Sequence, residues 1–473
     1  MTAEPRPSHP PTHAALDAAM HPRLTPATPR SAEHGPRTEA IAARSVLQEY
    51  AEWRPPSPRA VRDVHEAIEA FKLPFQRVTQ LVISREPLAE AAALAVATHE
   101  HLLIHSKPGK AKSLFARSLF AQLEGTVYEK GFTDGTLEEE VVGGIEADKF
   151  SQGIVHRRTE GTLVTADWAF LDEFTRAQRG TWDVMLGILN EGIFRNGTEI
   201  EHARLHTAIA AANFLIATDR FLAVRDRFVY QATLADEDSR YAAIRIDQVH
   251  GRPPPPVPEE EKLPLAIPKR IAAIVLGLDP EHHIHLPYWV SFVKDDVIRR
   301  TARLARQKAQ QGEPIDDRLI YISSRTAAKA ADALKASALL NHRFEVTLED
   351  LPAARFAITT IAGDRREQSP GERIFRQALH EALRYYSQDD FHDIEDILHI
   401  ADIYQAYRQG ARFEFKVLAG GVRNRVLTLL RHPTWEDVSA ETCLEALAHI
   451  RPSKPEIEEL KREVIALIAP HQV

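Results

Sequence analysis

Apolar residues along this chain fall into two kinds of run. Short unbroken ones, Leu102-Leu103-Ile104, Trp168-Ala169-Phe170-Leu171 and 206–214, are separated by longer stretches with helical spacing. An unbroken apolar run bounded by polar residues predicts a strand buried on both faces, and such strands belong to parallel sheets covered by helices. Residues 125–130 predict one more strand. Between them, Ser57-Pro58 opens a helix with Val61, Val64, Ile68, Phe71 and Leu73 on one stripe. Residues 87–99 form an alanine- and leucine-rich helix that runs straight into Leu102-Leu103-Ile104. Residues 132–139 turn into an acidic helix start, which the helix dipole favours, and Gly143-Gly144 ends it. Residues 153–162 read as an exposed hairpin or insertion, 175–190 as a helix, and Asn196-Gly197 as a hairpin turn.

Past Pro253–Pro258 and Glu259-Glu260-Glu261 the pattern is helical throughout: 288–311, 324–340, 347–361, 375–386, 394–408 and 455–468. Ser323-Ser324 caps one of these helices and Thr347 the next. Residues 38–50 carry a helical pattern, and 423–431 are locally basic. The chain divides accordingly into a Pro-rich disordered arm (1–40), an αβα core with N-terminal helices (41–250), a Pro-rich linker (251–263), a helical lid (264–362) and a helical C-terminal module (363–473).

Composition narrows the functional class. The 473 residues are 44% hydrophobic and 27% charged with a net charge of −8, the balance of a soluble globular protein without the basic footprint of a nucleic-acid binder. Cys443 is the single cysteine, which excludes an intrachain disulfide and a cysteine metal cluster. No run approaches the ~20 apolar residues of a membrane helix, and the first residues lack a secretory apolar region. A cytoplasmic protein without membrane insertion is expected.

The chemistry gathers around Ser106-Lys107-Pro108-Gly109-Lys110-Ala111-Lys112-Ser113-Leu114, which follows the first apolar run and opens a helix. Strand, tight loop, helix is the context of a phosphate-binding loop, where backbone N–H groups and a helix N-terminus meet an anion. Lys112 would reach the terminal phosphates and Ser113 would ligate Mg²⁺. The pattern is imperfect: Ser106 and Ala111 replace the two glycines of G-x-x-x-x-G-K-[ST], and only Gly109 is left to take an unusual backbone angle or allow a close approach. About sixty residues on, Asp172 and Glu173 end an apolar strand, the edge of an open α/β sheet where ligands sit. Asp172 would hold Mg²⁺ with Ser113, and Glu173 would polarise a water attacking the γ-phosphate. Asn213 ends the next buried strand, placed either to orient that water or to form a turn. Arg225 and Arg227 offer a cation to the γ-phosphate, or a surface pair with Asp226; Arg325 projects from a helix start in the second, helical half.

In this order the motifs resemble the MoxR group of AAA+ ATPases over roughly residues 60–360, and most closely its RavA-type branch: P-G-x-A-K-S, F-L-D-E, N-E-x-x-F-R-N-G from Asn190 to Gly197, A-A-N, D-R-F and S-S-R. The resemblance implies a P-loop NTPase fold, a five-stranded parallel αβα domain followed by a helical lid. It implies ATP and Mg²⁺ as ligands, with Lys112 and Ser113 in the nucleotide loop, Asp172 as metal ligand and Glu173 as catalytic base. Asn213 would be the first sensor, Arg227 (or Arg225) a finger acting on a neighbouring subunit, and Arg325 the lid sensor. Residues 153–162 would fall in an insertion lining the face of a ring. Such proteins are chaperone-like remodellers, usually hexameric, that act on protein targets, often with a von Willebrand A-type partner. Alanine is usual at the Ala111 place, whereas Ser106 departs from the family glycine. The alternative from the same residues is a nucleotide-gated switch with little hydrolysis; a DNA-directed motor and a metal-chelatase subunit share the same core.

Overall fold

The computed structural model describes residues 58–214, 225–234, 239–249, 256–279, 281–364, 368–408 and 439–469. The Pro-rich arm, the helical pattern at 38–50, Pro253 to Pro255 and the basic stretch at 423–431 lie outside them.

Helices α1 (Pro58–Leu81) and α2 (Glu86–Ala97) lead into strand β1 (Leu102–His105), and α3 (Lys112–Phe120) follows the phosphate-loop motif. Strand β2 (Val127–Gly131), short helices α4 (Glu139–Val142) and α5 (Ala147–Ser151), and strand β3 (Trp168–Asp172) come next. Helix α6 (Arg179–Glu191) precedes a separate antiparallel hairpin of β4 (Ile193–Asn196) and β5 (Glu199–His202). Strands β6 (Thr207–Ala212) and β7 (Tyr230–Thr233) and helix α7 (Arg240–Val249) complete the N-terminal half. The second half carries α8 (Ala266–Val275), α9 (Tyr288–Gln310), α10 (Asp317–Ile320), α11 (Ser324–Leu340), α12 (Arg355–Ile358), strand β8 (Thr360–Ala362), α13 (Pro370–Tyr385), α14 (Gln388–Arg408), α15 (Ala440–His449) and α16 (Pro455–Ile468).

Among the described residues the main sheet has six strands in the order β2-β3-β6-β1-β7-β8, all parallel. Every residue of β6 is buried, and in β3 only the terminal Asp172 is not, as the unbroken apolar runs require. Register aligns His105 with Ala212 and Leu171 with Ala210, so the ends of β1, β3 and β6 share one edge. The loop of Ser106–Ser113, the Asp172-Glu173 pair and Asn213 all leave the sheet there.

Two differences from the sequence reading stand out. The sheet has a sixth strand, and residues 347–361 are not one helix. Thr347 forms a capping box with Asp350 over a 3₁₀ turn, Leu348–Ala354; α12 is a single turn, and the chain then straightens into β8 beside β7. Pro352 within the turn and the β-branched Thr359-Thr360-Ile361 oppose a continuous helix. Leu73, placed on the α1 stripe with Val64, Ile68 and Phe71, is instead exposed, one residue before an intrahelical Pro74. Of the hairpin or insertion expected at 153–162, no paired strands form; the segment is irregular and tied back by the isolated antiparallel Ile145–Arg157 bridge.

One apolar cluster runs from α1, α2, α3 and the sheet into α8, α9, α11 and α13–α16; a second fills the opposite sheet face under α4 and α6. The first cluster joins the core to the helices beyond it, with Lys329 of α11 paired to Glu100 at 2.7 Å.

Candidate active site

Helix α3 begins without a side-chain cap: its N-cap is Ala111, in the left-handed region at φ 60° and ψ 23°. Its first N–H groups therefore point at the loop they leave open to an anion. Gly109 is also left-handed, at φ 79°. Glu173 sits at φ 52° and ψ 35°, directly after β3. A non-glycine residue held there stores backbone strain, which persists where the surroundings over-determine it. This turn leaves the Glu173 carboxylate within reach of the Asn213 amide at the end of β6.

The side chains converge. Lys112 Nζ donates to Ser106 O at 2.8 Å, Ser106 Oγ at 3.1 Å, Lys107 O at 3.3 Å and Asn213 Oδ1 at 2.6 Å. Asn213 Nδ2 donates in turn to Glu173 Oε1. Ser113 Oγ donates to Asp172 Oδ2 at 2.9 Å, and Asp172 Oδ1 accepts from the Glu173 N–H at 3.0 Å. The other Glu173 oxygen, Oε2, is buried and accepts no hydrogen bond among the described residues; Arg176 Nε stands 3.6 Å from it. Burial lowers the Lys112 ammonium below its usual range, against the pull of Asp172 and Glu173. His105, the last residue of β1, is likewise kept neutral to lower pH by burial and by Lys112 and Arg225.

The structure thus brings together Ser106, Lys112, Ser113, Asp172, Glu173 and Asn213. It does not bring the arginines to them. Arg325 Nη2 donates to Asn190 Oδ1 at the end of α6. Arg227 faces Asp226 at 3.8 Å, and Arg225 is held by Asp316, 2.5 Å from Nη2 to Oδ2. The exposed Lys107, Pro108 and Gly109 form the outer rim of the loop, with Lys110 behind them, and Leu114 is exposed on α3. The partners Arg176, Asn190 and Asp316 were not assigned these contacts from sequence. Asn190 stood in the N-E-x-x-F-R-N-G motif; Asp316 carried no local signal, because it meets Arg225 across 91 positions.

A hydroxyl and a carboxylate side by side, Ser113 and Asp172, fit a hard divalent cation, and an uncapped helix start with a buried amine fits phosphates. The Glu173 Oε2 without a hydrogen bond fits an acceptor waiting for a water.

The chain also resembles known proteins. The chain superposes on the crystal structure of a candidate ATPase from Cytophaga hutchinsonii with a TM-score of 0.52, covering 70% of this chain and 98% of the other at 16% identity. The fold is that of a P-loop ATPase. Residues 69–241 match the family described as the MoxR domain in the MoxR–vWA–beta-propeller ternary systems. Over that span the chain is similar to the MoxR domain of those systems. Two uncharacterized proteins of Methanocaldococcus jannaschii are each 27% identical, one over 282 residues (59% of this chain, 67% of its own), the other over 287 (59% and 69%). No helix among the described residues is long and apolar enough to cross a membrane.

Proposed function

We propose that this chain is a Mg²⁺-dependent ATPase of the MoxR type that remodels protein partners, assembles as a ring, and works with a von Willebrand A-type protein. The observation that carries the hydrolytic part is the relay Lys112–Asn213–Glu173 beside the Ser113–Asp172 pair. Mg²⁺ held by Ser113 and Asp172 would neutralise charge on the phosphates. Lys112 would exchange its loop acceptors for the terminal phosphates. Asn213 fixes one Glu173 oxygen, so the other is presented to the attacking water and takes up its proton. The partner class is supported by the ternary systems in which the matched domain is described.

A second reading, a nucleotide-gated switch with little turnover, is favoured by one observation. Lys112 is satisfied inside the protein, partly by the unusual Ser106 hydroxyl, and nucleotide must displace those bonds. Steady-state ATP hydrolysis over a range of protein concentrations, for wild type and Glu173→Gln, separates the two. Turnover in wild type, rising with concentration and lost in a variant that still binds ATP, supports the ATPase; binding without turnover in wild type supports the switch. An arginine finger is worth ~10³–10⁵ in rate, so a dilute monomer should be nearly idle.

A further inference from the structure

The arginine-bearing turn at 225–229 is held by a segment far away in sequence. Asp316 and Arg318 lie in the connection between α9 and α11. Asp316 grips Arg225 with both oxygens, Nη2 to Oδ2 at 2.5 Å and Nη1 to Oδ1 at 3.4 Å. Arg318 Nη2 donates to Val229 O at 2.7 Å and to Ala357 O at 2.8 Å. From the other side Gln231 accepts from Arg225 Nε at 2.9 Å, and its amide donates to the Arg225 and Phe228 carbonyls at 3.2 Å each. Phe228 is fully buried and pins the turn to the sheet. The Arg225 side chain is only 11% exposed, and its fork is spent on two fixed acceptors. It is not available to a second subunit. Arg227, two residues on, keeps 27% of its side chain exposed, beside Asp226.

The same connection leads within a few residues to Arg325 in the first turn of α11. On its other side Leu319 packs so closely on α13 that a Cβ at Gly371 would lie 2.8 Å from Leu319 Cδ1. The segment that grips the arginine turn is therefore continuous with the candidate lid sensor and seated against the C-terminal helices.

We propose that Asp316 and Arg318 are positioning residues that clamp the 225–229 turn and transmit the position of α11 to Arg227, the arginine offered to a neighbouring copy. This rests on the ATPase reading above. It assigns Arg225 to the clamp and leaves Arg227 as the finger. A bland ion pair that only staples two elements together would have a different signature.

The test uses the full chain. Asp316→Asn is expected to lower turnover at least tenfold at protein concentrations where wild-type turnover has levelled off. KM for ATP should stay within twofold, and Asp316→Glu should recover at least half of the wild-type rate. The double variant Asp316→Asn/Arg227→Ala should be no slower than Arg227→Ala within twofold, because the clamp acts through Arg227. Wild-type turnover in Asp316→Asn, or a double variant tenfold slower than Arg227→Ala, overturns the proposal. If Asp316→Asn does not fold, Arg318→Lys carries the same expectations. Hydrogen exchange at 225–231 decides independently of hydrolysis. A non-hydrolysable ATP analogue with Mg²⁺ should slow exchange several-fold in wild type and not in Asp316→Asn. Unchanged wild-type exchange overturns the linkage even if the protein hydrolyses ATP. Protection without any turnover sinks the hydrolytic reading and keeps the linkage.

Discussion

The side-chain amide of Asn213 donates to Glu173 Oε1 while its oxygen accepts from Lys112, so one residue at the end of β6 ties the carboxylate to the ammonium. An amide is suited to this place because it donates and accepts at once, whereas an aspartate could only accept. Asn213→Ala should therefore lower kcat by about 10²-fold while ATP affinity changes only a few-fold, since the positioned base is worth ~10²–10⁴. Stopped-time hydrolysis with parallel binding of a fluorescent nucleotide reads both. A variant that loses affinity and keeps kcat would show that Asn213 serves the loop rather than the water.

Ser113 and Asp172 lie 2.9 Å apart, a pair with oxygen donors for Mg²⁺. Ser113→Ala should raise the Mg²⁺ concentration needed for half-maximal turnover at least tenfold, and chelation with EDTA should abolish turnover in wild type. A Mg²⁺ titration of both proteins checks this.

Ala111 pays for its left-handed backbone at φ 60°. The strain costs roughly 1–2 kcal/mol, while glycine adds roughly 0.4–1 kcal/mol of unfolded-chain entropy. Ala111→Gly should therefore stabilise by about 0.5–1 kcal/mol, seen as a small rise in melting temperature. No gain would mean that the loop relaxes around alanine.

Gly143 and Gly197 meet the insertion at close range. A Cβ at Gly143 would fall 1.8 Å from Arg158 O, and one at Gly197 2.0 Å from Val155 O, both at positive φ. Asn196 binds the same strip, accepting from the Arg157 N–H at 2.6 Å and donating to its carbonyl at 2.8 Å. Gly197→Ala should cost on the order of 2 kcal/mol and loosen residues 155–158 in limited proteolysis, because strain and overlap add.

Acid should weaken the C-terminal helices. Burial holds His285 and His399 at about 4, well below the ordinary histidine value of 6.5, so the unfolded chain takes up protons first as pH falls from 6.5 to 4. Stability is present above that window and lost through it, about 3 kcal/mol for each histidine. Asp402, raised to about 6 by burial, works the other way: it gains as pH falls from 6 toward 3.8, by about 3 kcal/mol. Two losses outweigh one gain, so the melting temperature should drop between pH 6.5 and 4. His399→Gln should flatten that slope.

The strands that hold the site were legible because each is an unbroken apolar run. Trp168–Asp172 and Thr207–Ala212 declare themselves by burial on both faces, and the polar residues just past them are where ligands sit. Strand β7, Tyr230–Thr233, was not legible: Gln231 interrupts it, and its polar head is used to bind the arginine turn. Strand β8 has three residues, too few for a period to show. Asp316 was invisible for another reason, since its meaning depends on a partner in a distant turn. Ser106 read as a missing glycine, yet its hydroxyl accepts from Lys112, a role glycine could not fill.

The sixth strand changes how the molecule can be taken apart. Because β8 lies beyond α8–α12 in the chain and pairs with β7, everything between them is a closed excursion with both feet on the same sheet. A protein cut at the Pro-rich segment would keep the loop, Asp172 and Glu173 but expose the β7 edge, a template for strand addition from another molecule. Such a fragment should aggregate rather than work. The excursion itself is anchored at both ends, on β7 and on β8, so it cannot drift away from the sheet.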